Sequence, residues 1–61
     1  MPVITLEGSK LTKEQKQLLA IEFTETASRV TGITKETFYV FIKENEFENI
    51  GVGGQLLSDR E

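Results

Sequence analysis

The sequence predicts an α/β (α+β) fold in which a single domain, residues 1–61, contains one β-α-β unit followed by a C-terminal β-hairpin. Three observations support this prediction: an apolar β-branched segment at the N-terminus, a long stretch with helical periodicity, and two later segments rich in β-forming residues or glycine. Because a helix connects the first two strands, we expect those strands to be parallel.

The first strand is predicted at Val3–Glu7, which is apolar and β-branched and ends before a glycine. A helix should follow over residues 13–31, which contain neither Gly nor Pro. Thr12 and Gln15 have the spacing of a capping box at its start. Gly32 is suited to end it, because glycine readily adopts the left-handed conformation found just after helices.

Apolar residues recur through this helix at intervals of three and four residues, which predicts one apolar face. The face consists of Leu19, Phe23, Ala27 and Val30, widened by Leu18, Ala20 and Ile21. The segment is therefore predicted to be an amphipathic helix of about five turns.

The second strand is predicted at Phe38–Ile42, after a short connection over residues 33–37. It is almost wholly apolar, so it should be covered on both faces, or on one face by a neighbouring subunit. Phe23, Phe38 and Phe41 are expected in the core.

The remainder of the chain predicts smaller elements. Residues 43–49 are polar and indicate a loop. Residues 50–55 indicate a short strand or hairpin bent at its glycines. Residues 56–61 form a tail that is ordered only if it docks on another part of the protein.

Size and composition restrict the function classes. Domains below roughly 70–80 residues commonly need a disulfide, a metal or a partner chain for stability. The chain has no Cys and no His, which excludes disulfides, thiolate or imidazole metal ligands, and His-based catalysis. We therefore expect a homo-oligomer and no cofactor. The net charge of −3 argues against nucleic acid, and no apolar run approaches the about 20 residues of a membrane span. The expected location is cytoplasmic.

Pro2 is the most informative candidate for catalysis. Removal of Met1 would leave a secondary amine at the chain end, and a neighbouring strand would hold it rigidly. An ordinary α-amino group titrates at about 7.7–8.0. Burial and nearby cations disfavour the charged form, so a neutral base near pH 7 is plausible. The alternative is that Met1-Pro2 is a common start with no catalytic role.

Other polar or glycine-rich features have simpler explanations. Gly51, Gly53 and Gly54 lack the following Lys-Ser/Thr and helix of a phosphate loop, so they predict a tight β-turn. The acids Glu44, Glu46 and Glu48 are expected to be solvated rather than a cation site. Tyr39 is either a hydrogen-bond donor or a half-buried strand aromatic.

Several of these segments together resemble the 4-oxalocrotonate tautomerases over essentially the whole chain. The matching segments are Met1-Pro2, Leu6-Glu7-Gly8, Lys13-Glu14-Gln15-Lys16, Ala27-Ser28-Arg29 and Ile50-Gly51-Val52-Gly53-Gly54. The resemblance implies subunits that pair into four-stranded sheets and assemble as a hexamer, a trimer of dimers. It also implies an isomerase that needs no cofactor and converts an enol or dienol of a 2-oxo acid to its conjugated ketone. In this reaction Pro2 takes the enol proton and returns it to carbon.

Three positions depart from the family pattern. The loop arginine that follows Leu-Glu-Gly is absent, and Lys10 is the nearest cation. The second family arginine falls on Tyr39, and the pocket phenylalanine falls on Ile50. The resemblance therefore implies that Lys10 binds a carboxylate, Tyr39 polarises a carbonyl, and Leu6 and Ile50 line the pocket. A substrate with one carboxylate, or a different enol, is expected to be preferred over the dicarboxylate of the type enzyme, because lysine lacks the two-point grip of arginine.

Two alternatives to a tautomerase stay open from the sequence. The first is a non-catalytic oligomeric relative that acts as a structural or interaction module, which retention of Met1 would favour. The second is another reaction of the proline amine, such as dehalogenation or decarboxylation.

Overall fold

The computed structural model describes residues 1–60 and contains the predicted β-α-β unit and hairpin. The regular elements are β1 at Val3–Gly8, α1 at Lys13–Thr31, β2 at Tyr39–Glu44, β3 at Gly51–Val52 and β4 at Gln55–Leu56. Three single turns of 3-10 helix accompany them, at Lys35–Thr37, Phe47–Asn49 and Leu57–Asp59.

The helix α1 begins and ends at the predicted residues. The Thr12 hydroxyl accepts a hydrogen bond from the Gln15 backbone N–H at 3.1 Å, and the Gln15 side chain accepts one from the Thr12 N–H at 3.0 Å. Gly32 has φ 77°, and its N–H donates to the Ser28 carbonyl. Both ends therefore satisfy backbone groups that a helix terminus leaves without partners.

The strands β1 and β2 pair in parallel, as a β-α-β connection requires. Val3 lies opposite Tyr39, Thr5 opposite Phe41, and the ladder continues to its last residues. Alternate residues are half-buried or exposed, so the sheet has one covered and one uncovered face. The helix α1, which contacts β2, covers the first of these faces. The covered face contains Ile4, Leu6, Val40 and Ile42.

The second strand differs from its predicted bounds at both ends. Phe38 precedes β2, and the strand continues through Lys43 and Glu44, which the sequence assigns to a loop. The ladder extends because Lys43 has Glu7 as its partner on β1 and Glu44 has Gly8. Backbone pairing with an available strand therefore outweighs the polar character of these side chains.

The hairpin of β3 and β4 has a two-residue turn at Gly53 and Gly54. Their φ values are 61° and 87°, which confirms the predicted tight turn. Positive φ at both central residues is typical of the turn that best matches the twist of two antiparallel strands. The predicted tail begins within β4 and adds a turn at residues 57–59; its last residue, Glu61, lies outside the described residues.

The single chain has no enclosed core over residues 1–60, since each of these residues is at least partly exposed to solvent. Its accessible surface is 4965 Å², whereas a compact 6.9 kDa protein exposes about 4,000 Å². Its radius of gyration is 15.1 Å, against about 10–11 Å for a compact chain of this length. The chain is therefore more extended than a protein that folds around its own core.

The expectation that Phe23, Phe38 and Phe41 form a core is wrong for the single chain, and the apolar side of α1 is largely exposed there, with Leu18 56% and Ile21 47% exposed. Val30, in the last turn of α1, is 72% exposed. Phe41 is 47% exposed, because it points to the face of the sheet that the helix does not cover. Phe23 and Phe38 are half-buried rather than core residues.

Residues 1–60 contain no helix that is both long and apolar enough to span a membrane.

Candidate functional site

Pro2 lies immediately before β1 and is fixed by its own backbone. Its carbonyl accepts a hydrogen bond from the Tyr39 N–H at 3.0 Å, and Val3 begins the parallel ladder beside it. The proline is half-buried, whereas Met1 is 80% exposed. While Met1 is attached, the Pro2 nitrogen is an amide and cannot act as a base. Removal of Met1 would leave the amine on a segment that hydrogen bonds already hold in place.

Tyr39 is the predicted site residue that the structure brings next to Pro2. The backbone bond joins the two residues, and the Tyr39 side chain is 51% exposed on the uncovered face of the sheet. This face also contains Val3 and Phe41, which are 48% and 47% exposed. A phenol at this position has room to donate a hydrogen bond to a ligand that lies on this face.

Leu6 lies on the opposite side of the sheet from Tyr39. It pairs with Ile42 on the helix-covered face and is half-buried there. Within one chain, Leu6 and the Tyr39 side chain therefore cannot line the same pocket. The assignment of Leu6 to a pocket stays a prediction that requires a surface from more than one chain.

Lys10 lies at the end of β1 that is farther from Pro2. At about 3.3 Å per residue, β1 itself is about 16 Å long, so a substrate of a few carbons cannot touch both residues of one chain. Lys10 lines a hollow of about 290 Å³, whose other lining residues are Ser9, Asn45, Glu46 and Phe47.

Phe47 is a residue that the sequence analysis missed. It is 55% exposed and lines the same hollow as Lys10, where its ring offers an apolar surface beside a cation. The sequence places it in a polar segment, and only its isolation among acids and amides could have indicated a binding role. Ile50, which occupies the position of the family's pocket phenylalanine, lies three residues after Phe47 in the sequence.

Ile50 connects the turn at Phe47–Asn49 to the hairpin. Its N–H donates to the Phe47 carbonyl at 3.3 Å, and its carbonyl accepts from the Leu57 N–H at 2.8 Å. The side chain is half-buried in this local cluster. The structure thus brings Ile50 near Phe47, and its role in a pocket with Pro2 stays a prediction.

The Glu44 carboxylate joins three elements at the Lys10 end of the sheet. Its Oε2 accepts a hydrogen bond from the Leu11 N–H at 2.9 Å, and Lys16 Nζ lies 3.3 Å from each carboxylate oxygen. The Leu11 hydrogen bond, followed by that of Lys16, lowers the pKa of Glu44 below its usual 4.5. Glu44 is therefore ionised at neutral pH. The positive charge of Lys10 also lowers the pKa of Glu44, by a smaller amount.

The expectation that Glu44 is only solvated is wrong, because its carboxylate binds the Leu11 N–H and Lys16. Over residues 1–60, no group of three or more Asp or Glu side chains is arranged to hold a metal ion.

The sequence model of the family described as Tautomerase enzyme matches residues 2–60. The chain belongs to the tautomerase family. The match begins at Pro2 and includes the helix, both long strands and the hairpin. No curated protein matches the chain significantly.

Solved structures of 4-oxalocrotonate tautomerase homologues share the fold. YwhB, a homologue of 4-oxalocrotonate tautomerase, is 36% identical with a TM-score of 0.87, and the alignment covers 98% of this chain and 100% of YwhB. Another homologue of that enzyme is 32% identical with a TM-score of 0.89, covering 100% of this chain and 98% of the homologue. DmpI from Archaeoglobus fulgidus is 33% identical with a TM-score of 0.81, covering 95% and 100%. The resemblance to the 4-oxalocrotonate tautomerases and the predicted fold class are thus confirmed.

Proposed function

We propose that this tautomerase-family protein is an isomerase that needs no cofactor and converts an enol of a 2-oxo acid to its keto form. The observation that carries the proposal is the position of Pro2, half-buried at the start of a strand and held by the Tyr39 N–H. A base must be held in a defined geometry to transfer a proton efficiently. After Met1 is removed, Pro2 would be such a base.

The proposed reaction moves one proton and consumes no co-reactant. The Pro2 nitrogen takes the proton of the enol hydroxyl, and the oxygen lone pair re-forms the carbonyl. The electrons of the enol double bond then take a proton from the Pro2 ammonium to form a C–H bond. The Tyr39 hydroxyl would donate a hydrogen bond to the oxygen that carries developing negative charge.

We further propose that the active form is a homo-oligomer, with the family's hexamer as the expected state. The uncovered sheet face, with the apolar residues Val3 and Phe41, supports association because apolar sheet faces are normally covered. The extended shape and the lack of a core in one chain support it as well. Association would also allow Lys10 of one copy to approach Pro2 of another.

The hollow at Lys10 supports a substrate with one carboxylate and an apolar group. Lys10 supplies a single positive charge, and Glu46 lines the same hollow, so a second carboxylate would be poorly accommodated. The exposed ring of Phe47 offers a surface for an apolar or aryl group. Phenylenolpyruvate has both features, whereas the dienol 2-hydroxymuconate carries two carboxylates.

The test uses protein whose intact mass shows that it begins at Pro2. We expect turnover of phenylenolpyruvate with a higher kcat/KM than that of 2-hydroxymuconate. A Pro2→Ala variant should lose about 10²–10⁴-fold in kcat, the usual contribution of a positioned base. Equal rates for the wild type and this variant on both substrates would contradict the proposed function.

A further inference from the structure

We propose that Glu44 is a positioning residue, which fixes the loop carrying Lys10 and so determines how tightly a substrate carboxylate binds. This inference rests on the proposed function, because it deepens the role assigned to Lys10. Glu44 itself need not touch the substrate.

The location of Glu44 is the first support. It is the last residue of β2 and lies opposite Gly8, the last residue of β1. At this point the chain leaves β1 and enters the loop at residues 9–12. A side chain at the end of the ladder is therefore beside the start of the loop and beside the first turn of α1.

The bonds of the Glu44 carboxylate are the second support. Oε2 accepts from the Leu11 N–H at 2.9 Å, and Lys16 Nζ approaches both oxygens at 3.3 Å. One side chain on β2 thus joins the loop to the helix. Hydrogen bonds to an ionised acceptor are about twice as strong as those between neutral groups.

The neighbouring bonds show that the loop is held on both sides of Lys10. Before it, the Gly8 carbonyl accepts from the Asn45 N–H at 2.8 Å. After it, Leu11 is held by Glu44, and its N–H is the donor. Ser9 and Lys10 lie between these two fixed points. Loss of the Glu44 bond would release the second point and leave Lys10 on a longer flexible segment.

The Glu44 bond is not needed to start the helix. Thr12 and Gln15 already form both bonds of the capping box at that end. The Glu44 carboxylate instead accepts a hydrogen bond from Leu11, the residue before the helix cap Thr12. Its effect therefore falls mainly on the loop and on Lys10.

Ordering a flexible side chain at a binding site reduces affinity by a few-fold to about tenfold. We accordingly expect Glu44→Ala to weaken binding of phenylpyruvate, a stable monocarboxylate of the product type, by about 2- to 10-fold. For turnover of phenylenolpyruvate, KM should rise by a similar factor while kcat changes less than about twofold. The Leu11 amide should exchange with solvent faster, since its N–H loses its acceptor.

The experiment combines three measurements on the full chain that begins at Pro2. NMR titration gives the dissociation constant for phenylpyruvate, hydrogen exchange gives the protection of the Leu11 amide, and steady-state kinetics give KM and kcat. Glu48→Ala is the matched control: it removes one negative charge from an exposed turn nearby and leaves the bond to Leu11 in place.

A double-mutant cycle with Lys10→Met decides whether Glu44 acts through Lys10. We expect Glu44→Ala to cause no further weakening when Lys10 is already replaced. Glu44→Gln retains an oxygen for the Leu11 N–H and should have a smaller effect, which provides a second variant if the alanine variant does not fold. Rescue by glutamine together with the coupled result would confirm the positioning role.

Three results would overturn the inference. The first is an unchanged affinity of Glu44→Ala for phenylpyruvate although its Leu11 amide exchanges faster. The second is an equal loss of affinity caused by Glu44→Ala with and without Lys10. The third is that the wild type does not bind phenylpyruvate. By contrast, coupled loss of binding without any turnover by the wild type would refute the proposed reaction while confirming the role of Glu44.

Discussion

Phe41→Ala is expected to weaken association between copies of the chain. Phe41 lies on the sheet face that α1 does not cover and is 47% exposed. A phenylalanine side chain offers about 200 Å², so about 90 Å² remains to be buried by another copy. At about 25 cal/mol per Å², this area contributes about 2 kcal/mol per copy, or about 30-fold in the association constant for each Phe41 that becomes buried.

Sedimentation velocity over a dilution series measures this effect. The wild type should remain assembled at concentrations where Phe41→Ala is largely dissociated. Val30→Ala is the control, since it removes apolar area from an exposed position at the end of α1 rather than from the sheet. A wild type that is monomeric at micromolar concentration, or a Phe41→Ala variant that dissociates at the same concentration as the wild type, would refute the reasoning.

Further predictions concern substitutions of Tyr39 and Gly54 and the titration of Glu44. Tyr39→Arg places a cation where the family has its second arginine, and should lower KM for 2-hydroxymuconate by about tenfold or more. Because the folded pKa of Glu44 is lowered, its contribution to stability should be present above pH 4.5 and lost as the pH falls through the folded pKa. Gly54→Ala should reduce the free energy of unfolding by about 1–2 kcal/mol, since φ is 87° there.

Each of these predictions has its own measurement. Steady-state kinetics on both substrates test Tyr39→Arg, and an equal change for phenylenolpyruvate would count against a second-carboxylate contact. Urea unfolding between pH 3 and 7 tests Glu44, and a constant difference between the wild type and Glu44→Gln would contradict the titration. Urea unfolding also tests Gly54→Ala against Gly51→Ala, whose added Cβ meets its nearest atom at 3.9 Å without a positive φ. Equal losses would contradict the role of the turn conformation.

The helix and the hairpin could be predicted from sequence because their signals are local. The capping pair Thr12 and Gln15, and the glycine at position 32, act on backbone groups within a few residues. The turn at Gly53 and Gly54 is equally local, since these two adjacent residues reverse the chain by adopting positive φ. Local hydrogen bonds and φ preferences are visible in the order of residues alone.

The features that sequence could not predict depend on distant partners. Glu44 belongs to a strand only because Gly8 lies beside it, and its carboxylate is important only because Leu11 and Lys16 approach it. The hollow shared by Lys10 and Phe47 likewise forms between the ends of two strands. The periodicity of apolar residues identifies the apolar face of a helix or strand, but it does not determine which face another part of the same chain covers.

The sequence predicts that Pro2 lies at the start of a strand, but it does not predict the hydrogen bond that the Pro2 carbonyl accepts from the Tyr39 N–H. The register that creates this bond is set by the pairing of Val3 with Tyr39. The catalytic roles assigned to these residues stay predictions until activity is measured.

Titration of the Pro2 nitrogen by ¹⁵N NMR, in assembled protein that begins at Pro2, tests the proposed catalytic base most directly. A partly buried amine should release its proton at a lower pH than an unfolded peptide with the same first residues, because burial disfavours the charged form. We expect the pKa of the Pro2 nitrogen to be lower than that of the peptide. A nitrogen that titrates like the peptide, or one still acylated by Met1 in protein isolated from its native cell, would contradict it.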